Sequence, residues 1–267
     1  MTRIIQISDP HIVPNGQSAY GQVDTAAALV SCVETIDRLL SDIGPVDLVI
    51  VTGDITDFGT KEEYQRFREI MEHLRLPYRV IPGNHDNIVN MRACFSDQPW
   101  MSSEGPINWT LKFNDLVLIA LDSSIAGCAH GSLSDNTLSF LANTLDLQNG
   151  LPALVAIHHP PITVGIEKMD NQNLRESAEL QSILSSYSGE IRLICGHVHR
   201  NIVALFGSIV CQIAPGVSHA VSMDLRQGVP NCFTKEPGGF LLHEVRSSLV
   251  THHIPVGEFA GPFLFYP

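Results

Sequence analysis

The chain has 267 residues, of which 44% are hydrophobic and 16% are charged, and its formal net charge is −12. This composition provides enough apolar side chains for a sizeable core and excludes intrinsic disorder. The acidic balance disfavours binding to nucleic-acid polymers and to anionic membranes, because both repel a negative protein. No apolar run approaches the ~20 residues that span a bilayer, and the first residues are apolar too briefly for a secretory signal. We therefore expect a cytoplasmic protein.

The cysteines and histidines suggest different roles. The six cysteines are scattered without a C-x-x-C pair, and we expect reduced thiols, because a large core needs no disulfides. The chain has 12 histidines against 16 lysines and arginines together. This excess of histidine is the first indication of a metal site.

Strand-like and helix-like segments alternate along the first three quarters of the chain. Short apolar runs predict strands at Ile4–Ile7, Val46–Val51, Tyr78–Ile81, Leu116–Leu121, Ala153–Ile157 and Ile191–Cys195. Capping residues followed by helical spacing of apolar residues predict helices that begin after Asp24, Thr60 and Ser134. A further helix is predicted over Glu176–Tyr187. This alternation is typical of an α/β fold.

The last quarter of the chain has a different pattern. Ile202–Phe206 and Ile209–Ile213 flank a Gly-Ser pair, which predicts a hairpin with a two-residue turn. Phe240–Val245 and Leu249–Ile254 predict a second strand pair. The residues between these two pairs contain scattered Pro and Gly and predict no regular element.

Five of the predicted strands lead into polar clusters. In chain order, the clusters are Asp9-Pro10-His11, Gly53-Asp54, Gly83-Asn84-His85-Asp86, His158-His159-Pro160-Pro161 and Gly196-His197-Val198-His199. Because ligands gather beyond the carboxyl ends of strands in α/β sheets, we expect these clusters to share one edge of the fold. Their candidate ligands are nitrogen and oxygen donors without a thiolate, which favours catalytic Mn, Fe, Co or Zn over a structural zinc.

Two of the clusters have a spacing of two residues between candidate ligands. Asp9 and His11 have this spacing, as do His197 and His199. On extended backbone, alternate side chains point the same way. We therefore expect extended backbone at both pairs, so that each pair reaches one ion.

The ordered motifs D-x-H, G-D, G-N-H-D, H-H-P-P and G-H-x-H resemble the calcineurin-like metallophosphoesterase superfamily. Within it, the chain is most similar to bacterial class III phosphodiesterases, which hydrolyse cyclic nucleotides or glycerophosphodiesters. Tyr20-Gly21 is a further similarity, and Pro215-Gly216 with His219 and Ala260-Gly261-Pro262-Phe263 resemble the glycerophosphodiesterase branch. One such motif alone would be weak evidence for the family. Five motifs in this order argue against the alternative that these residues are merely polar side chains at the ends of strands.

The resemblance implies a dinuclear metal site with seven ligands. The first metal would be held by Asp9, His11, Asp54 and His199. The second metal would be held by Asp54, Asn84, His158 and His197. Asp54 would then bridge the ions at the ~3.5–4 Å separation of two-metal hydrolases. Two divalent ions, two carboxylates and a bridging hydroxide leave one net positive charge, which would attract a phosphodiester monoanion.

The resemblance also implies a mechanism, in which the bridging hydroxide attacks phosphorus in line with the leaving alkoxide. Asn84, His85 and His219 would face the substrate. His85 would contact the phosphate or protonate the leaving oxygen, and Asp86 would orient its imidazole. His159 would pack or hydrogen-bond nearby and would not bind metal.

The fold implied by the resemblance is a four-layer α/β/β/α sandwich of two mixed sheets covered by helices. We expect a catalytic core over residues 1–215 and a cap or oligomerisation segment over residues 216–255. Residues 256–267 would form a C-terminal tail that packs on the core or on a partner subunit. Because a segment like residues 216–255 assists oligomerisation in related phosphodiesterases, the resemblance implies a homo-oligomer.

The functional hypothesis is a dinuclear-metal phosphodiesterase that acts on a small phosphodiester. A glycerophosphodiester and a cyclic nucleotide are the two alternative substrates. A phosphomonoesterase or a nuclease of the same superfamily is an alternative, and the acidic charge argues against the nuclease. A non-catalytic scaffold that lost its metals is an alternative of another class, and the intact ligand set argues against it.

Overall fold

The computed structural model describes residues 1–175 and 177–266, which form two large β-sheets with helices on their outer faces. In spatial order, the first sheet contains β13 (Leu249–Pro255), β12 (Gly239–Val245), β1 (Arg3–Ile7), β2 (Leu48–Thr52) and β3 (Tyr78–Ile81). The second sheet contains β4 (Trp109–Lys112), β5 (Val117–Ala120), β6 (Ala153–Ala156), β7 (Ile191–Cys195), β9 (Ile209–Ile213) and β8 (Ile202–Phe206). A separate two-stranded ribbon pairs β10 (Ala220–Val221) with β11 (Phe233–Thr234).

Both large sheets contain parallel and antiparallel strands. β1, β2 and β3 run parallel, and so do β5, β6, β7 and β9. β12, β13, β4 and β8 pair antiparallel with their neighbours. Because parallel strands end at the same edge, their carboxyl-terminal loops gather on one side of the sandwich.

Helices cover both outer faces. In chain order, the helices of the described residues are α1 (Thr25–Ile43), α2 (Lys61–Met71), α3 (Ile88–Cys94), α4 (Asp135–Asp146), α5 (Glu167–Asp170) and α6 (Ser177–Ser186). The predicted caps are confirmed, since the side chains of Asp24, Thr60 and Ser134 each accept a hydrogen bond from the backbone three residues later. The helix predicted over Glu176–Tyr187 is confirmed as α6, and Glu176 itself lies outside the described residues.

Alternate residues of the second sheet divide the core into two clusters. Leu118 of β5 and Leu154 of β6 belong to the cluster that contains the first sheet, α1 and α2. Their neighbours Ile119 and Val155 belong to the cluster that contains α4 and α6. The order of layers is therefore helices, sheet, sheet, helices, and the four-layer sandwich is confirmed.

β12 and β13 belong to the first sheet. All seven residues of β12 are buried, and four of them pair with β1. Residues 239–255 are therefore part of the sandwich and not a separate cap, because this apolar strand covers an edge that β1 would otherwise expose. A role of residues 216–238 as a cap or oligomerisation element stays a prediction.

The C-terminal tail is exposed. The side chains of Phe259, Phe263, Leu264, Phe265 and Tyr266 are between 67% and 98% exposed, so the expected packing on the core is absent for these residues within one chain. Pro267, the last residue of the predicted tail, lies outside the described residues. Within the described ranges, no helix is both long enough and apolar enough to cross a membrane.

Candidate metal centre and substrate pocket

The polar clusters meet at one edge of the sandwich on an unusual backbone. Asp9, His11, Asp54, His197 and His199 all have positive φ, between 46° and 73°. This left-handed conformation costs roughly 1–3 kcal/mol at a residue other than glycine, and such strain concentrates at functional sites. The expectation of extended backbone at the two ligand pairs was therefore wrong, although the histidines and aspartates do converge.

Asp9, His11, Asp54 and His199 form a buried cluster whose ligand atoms lie within 4.8 Å of one another. The Nε2 atoms of His11 and His199 are 3.1 Å apart. His11 Nε2 is also 3.5 Å from Oδ2 of Asp54, and His199 Nε2 is 3.4 Å from Oδ1 of Asp9. These are the four ligands that the resemblance implies for the first metal, and two carboxylates with two imidazoles suit a divalent cation.

Asp54 also contacts a second group of candidate ligands. Its Oδ2 lies 3.3 Å from Nε2 of His158, which in turn lies 3.3 Å from Oδ1 of Asn84. The ring of His197 packs against His158, with ring centroids 5.2 Å apart. One carboxylate oxygen thus lies between the two groups, which is the position a bridging ligand needs.

Hydrogen bonds determine which histidine nitrogens are free to bind a cation. Nδ1 of His11 lies 2.9 Å from Oδ1 of Asp57, and Nδ1 of His158 donates to the carbonyl of Thr52 at 2.8 Å. Both rings therefore present the lone pair of Nε2 to the centre. Nε2 of His197 is buried without a hydrogen-bond partner among the described residues. A buried unpaired nitrogen is costly, and a cation bound at Nε2 of His197 would relieve this cost, so the donor set fits two divalent ions.

Glycines at the strand ends keep the ligands close together. A Cβ atom at Gly83 would lie 2.1 Å from Oδ1 of Asp54, and one at Gly53 would lie 2.4 Å from Nδ1 of His158. No side chain fits at these distances. Gly53 and Gly83 therefore allow Asp54 and His158 to converge.

Burial and mutual attraction shift the pKa values of the ligand candidates. Burial raises the pKa of Asp9 to about 6. Burial alone would lower the pKa of His158, but the charges of Asp54 and Asp9 outweigh it and raise that pKa to about 9. Burial would raise the pKa of Asp54, but His158 and His85 hold it well below its ordinary value. Without a cation, the cluster therefore retains a proton on His158 at neutral pH.

Metal binding should release this proton, and affinity should increase with pH. His158 holds its proton below a pKa of about 9, and Asp9 gains one below a pKa of about 6. A cation competes with both protons, so the apparent affinity for Mn²⁺ should rise by up to about tenfold per pH unit between pH 6 and 9. Calorimetry at pH 7.5 in buffers of different ionisation enthalpy should show release of about one proton. No proton release would contradict this assignment.

His85 lies at the mouth of the centre, with 36% of its side chain exposed. Its Nδ1 lies 2.9 Å from the backbone carbonyl of Asp57, so Nδ1 carries the hydrogen and Nε2 is free. The backbone N–H of His85 donates to Oδ1 of Asp54 at 2.9 Å. Asp57, which also holds His11, was not among the site residues predicted from the sequence. Its position three residues after Asp54 was the signal that could have indicated a role in the site.

Asp86 does not have the role expected from the sequence. Its carboxylate accepts hydrogen bonds from the backbone N–H of Gly83 and from the hydroxyl of Tyr64, both at 2.9 Å. Its oxygens also accept hydrogen bonds from the backbone N–H groups of Ile55 and Thr56. The prediction that Asp86 orients His85 was therefore wrong, because the carbonyl of Asp57 holds the His85 ring. Asp86 instead fixes the turn that presents Asn84 and His85.

His159 lies beside His158 and His197, and ligand atoms of these three histidines lie within 4.8 Å of one another. That His159 does not bind metal stays a prediction. Its side chain is fully buried, and its Nδ1 lies 2.8 Å from Oγ of Ser123. A Cβ atom at Gly131 would lie 2.5 Å from its ring. The ring is thus held in a close-fitting site beside the metal centre.

A pocket of about 330 Å³ opens over the ligand cluster. His219, a predicted substrate contact, lies in its wall, with ring centroids 4.6 Å from His199 and 5.4 Å from Tyr20. Tyr20 also packs against Phe233 at 5.1 Å. The rest of the wall includes Met169, Gln172, Val221, Asn231 and Cys232. Of these wall residues, His219 alone was predicted from the sequence as a substrate contact. Tyr20 was identified in the sequence as part of a motif shared with the family.

Residues 2–201 match the model of the calcineurin-like phosphoesterase family. The chain belongs to this family. It is 40% identical over 266 residues to a probable glycerophosphodiester phosphodiesterase, GpdQ, of Arcobacter nitrofigilis, covering 98% of this chain and 96% of the relative. It is 30% identical over 224 residues to the 3′,5′-cyclic adenosine monophosphate phosphodiesterase CpdA of Pseudomonas aeruginosa, covering 80% and 79%.

The fold is similar to that of a dimetal phosphatase from Danio rerio, with a TM-score of 0.68 and 15% identity over 96% of this chain and 97% of the other. The family match confirms the resemblance recognised from the five motifs. The predicted class of phosphoric diester hydrolase agrees with the names of the two bacterial relatives.

Proposed function

We propose that this protein is a two-metal phosphodiesterase that hydrolyses a small glycerophosphodiester. The observation that carries the proposal is the position of Asp54, whose Oδ2 lies 3.5 Å from Nε2 of His11 and 3.3 Å from Nε2 of His158. The ions would be Mn, Fe, Co or Zn, since all donors are nitrogen or oxygen. When bound, they would activate a water molecule and neutralise charge on the phosphoryl oxygens.

Seven side chains would hold the two ions. The first ion would be held by Asp9, His11, Asp54 and His199, and the second by Asp54, Asn84, His158 and His197. Two carboxylates do not neutralise two divalent ions, so the centre stays cationic and would attract a phosphodiester monoanion into an acidic protein. The neutral amide of Asn84 preserves this excess of positive charge.

His85 would act on the leaving group. The carbonyl of Asp57 holds its Nδ1, so a proton on Nε2 can be donated to the leaving oxygen as the P–O bond breaks. His219, Tyr20 and Phe233 would form the wall that orients the substrate above the ions.

The degree of sequence identity favours a glycerophosphodiester over a cyclic nucleotide. The Arcobacter relative is 40% identical over 98% of this chain, including the C-terminal segment that contributes His219, Asn231 and Phe233 to the pocket. The Pseudomonas relative is 30% identical over 80% of the chain, and a cAMP/cGMP dual specificity phosphodiesterase of Mycobacterium tuberculosis is 27% identical over 98% of it. The amides of Gln172 and Asn231 would provide hydrogen bonds for the hydroxyl groups of glycerol.

A substrate panel tests the proposal. After Mn²⁺ or Co²⁺ is added to metal-stripped protein, kcat/KM should be at least about tenfold higher for glycerophosphocholine or glycerophosphoethanolamine than for 3′,5′- or 2′,3′-cyclic AMP. The reverse order would favour a cyclic-nucleotide phosphodiesterase. No turnover even of bis(p-nitrophenyl) phosphate would favour the scaffold alternative.

We propose that the exposed tail joins two copies of this chain. Its four aromatic side chains and Leu264 form the kind of exposed apolar group that marks a protein contact. Deletion of residues 258–267 should leave the sandwich folded, because β13 ends at Pro255, and should reduce the molecular mass of the assembly in light scattering. A monomeric wild type, or an unchanged mass after deletion, would contradict this proposal.

We also propose a cytoplasmic location. All six cysteines are free thiols in the structure. A reducing compartment maintains thiols in this state. Fractionation of the source cells, with immunodetection of the protein, would test the location.

A further inference from the structure

Gln6 is a fully buried amide in the apolar strand β1. Its Nε2 donates hydrogen bonds to Oγ1 of Thr52 and to the carbonyl of Cys195, both at 2.9 Å. Its Oε1 lies 3.0 Å from Nε2 of His243. Both hydrogens and the oxygen of this amide are therefore paired. Burying an amide is costly unless it is hydrogen-bonded, so the complete pairing is required for its presence in the core.

The residues bonded by Gln6 belong to strands that lead into the metal-ligand candidates. Gln6 precedes Asp9 by three residues, Thr52 precedes Asp54 by two, and Cys195 precedes His197 by two. One side chain thus joins β1 and β2 of the first sheet to β7 of the second sheet. The distance between ligands from the two sheets depends on this link.

The outer end of the network fixes the orientation of Gln6. Arg192 Nη1 donates to Oγ1 of Thr251 at 2.7 Å, and this hydroxyl lies 2.8 Å from Nδ1 of His243. Burial and the charge of Arg192 lower the pKa of His243 to about 3, so its ring is neutral. Because Gln6 Oε1 can only accept, His243 donates from Nε2 and accepts the Thr251 hydroxyl hydrogen at Nδ1.

The inner end of the network reaches His158 and the residue that precedes Asp9. Oγ1 of Thr52 donates to Oγ of Ser8, the residue before Asp9, at 2.8 Å. The carbonyl of Thr52 accepts the hydrogen bond from Nδ1 of His158 at 2.8 Å. A Cβ atom at Gly196 would lie 2.1 Å from Oγ of Ser8, so glycine makes room for this contact.

We propose that Gln6 is a positioning residue for the two-metal centre. It sets the separation of β1, β2 and β7. Through Thr52 it orients His158, and through Thr52 and Ser8 it fixes the backbone that leads into Asp9. This inference rests on the proposed function, because it requires those side chains to hold ions. An apolar side chain of the same size would fill the space but would not make these links.

Two variants test the role of Gln6. Gln6→Met keeps the volume and removes all three hydrogen bonds, and it should weaken Mn²⁺ binding by about 10–100-fold, the effect typical of groups that orient metal ligands. Thr52→Val keeps the shape and breaks the link to Ser8, and it should weaken Mn²⁺ binding in the same direction. Affinity would be measured by titrating metal-free protein in competition with a chelator, with near-UV circular dichroism to verify folding.

Leu118→Ala is the matched control, because Leu118 is fully buried in the cluster shared by the two sheets and has no polar atom in its side chain. It should lower the thermal stability and leave Mn²⁺ affinity unchanged. Unchanged affinity in folded Gln6→Met and Thr52→Val would overturn the inference, and so would an equal loss in the control. A wild-type protein that binds no metal would overturn the proposed function as well.

Discussion

Replacing Asp54 with asparagine should remove both metal ions together and lower kcat/KM by about 10³-fold or more, because bound ions stabilise transition-state charge by several kcal/mol. Oδ2 of Asp54 lies within 3.5 Å of Nε2 of both His11 and His158, so both ion positions depend on it. Asparagine keeps the size of the side chain but removes its charge, and its amide nitrogen cannot bind a cation. Mass spectrometry of protein dialysed against Mn²⁺ would give the number of ions.

The control for this experiment is Asp42→Asn, which removes an exposed carboxylate near the end of α1. It changes the net charge by the same amount, so it should retain two ions and full turnover of bis(p-nitrophenyl) phosphate. An Asp54→Asn protein that retains two ions, or loses just one, would show that Asp54 does not bridge the centre.

Local signals in the sequence predicted the elements whose geometry depends on near neighbours. The strands Tyr78–Ile81 and Ile191–Cys195 are observed at the predicted residues, as is the hairpin that joins β8 and β9. The capping box of Thr60 and Glu63 forms both of its hydrogen bonds. Each of these features involves residues that are adjacent or a few positions apart, so a pattern of residue types is sufficient.

Elements that depend on distant contacts were missed. The helix α3 buries Met91 and leaves its other side chains partly or fully exposed, so it has no strong apolar period. The strand β4 lies at a sheet edge and is held by pairing with β5 and by the Trp109 indole, which donates to the carbonyl of Val80 at 2.8 Å. Consecutive elements are usually neighbours in space, but β12 lies beside β1, which is far from it in the chain. Local sequence patterns cannot indicate such a pairing.

Residue types indicated the candidate ligands, but not how the backbone presents them. The positive φ values of Asp9, His11 and Asp54 arise where loops from both sheets are packed together, and spacing alone suggests extended backbone. Adjacency likewise suggested that Asp86 holds His85, whereas the carbonyl of Asp57 holds it from another loop. The chemistry of the site could be read locally, while its geometry depends on contacts between strands far apart in the chain.

Replacing His85 with alanine should lower kcat for glycerophosphocholine by about 10²–10⁴-fold, the usual range for a general acid, while both metal ions stay bound. The imidazole is held through Nδ1 by the carbonyl of Asp57, so its role lies with the leaving group. Alanine keeps the backbone N–H that donates to Oδ1 of Asp54, so the bridging carboxylate should keep its position. Kinetics and metal analysis of the same preparation would test both expectations.

Substrates with different leaving groups distinguish the two roles expected of His85, which are phosphate binding and protonation of the leaving oxygen. An alkoxide needs a proton as the P–O bond breaks, whereas p-nitrophenolate leaves readily without one. The loss should therefore be large for glycerophosphocholine and about tenfold or less for bis(p-nitrophenyl) phosphate. Equal losses would assign His85 to phosphate binding, and loss of metal would make it a ligand. His73→Ala is the matched control: it removes an exposed imidazole outside the polar clusters, so metal content and turnover of both substrates should stay unchanged.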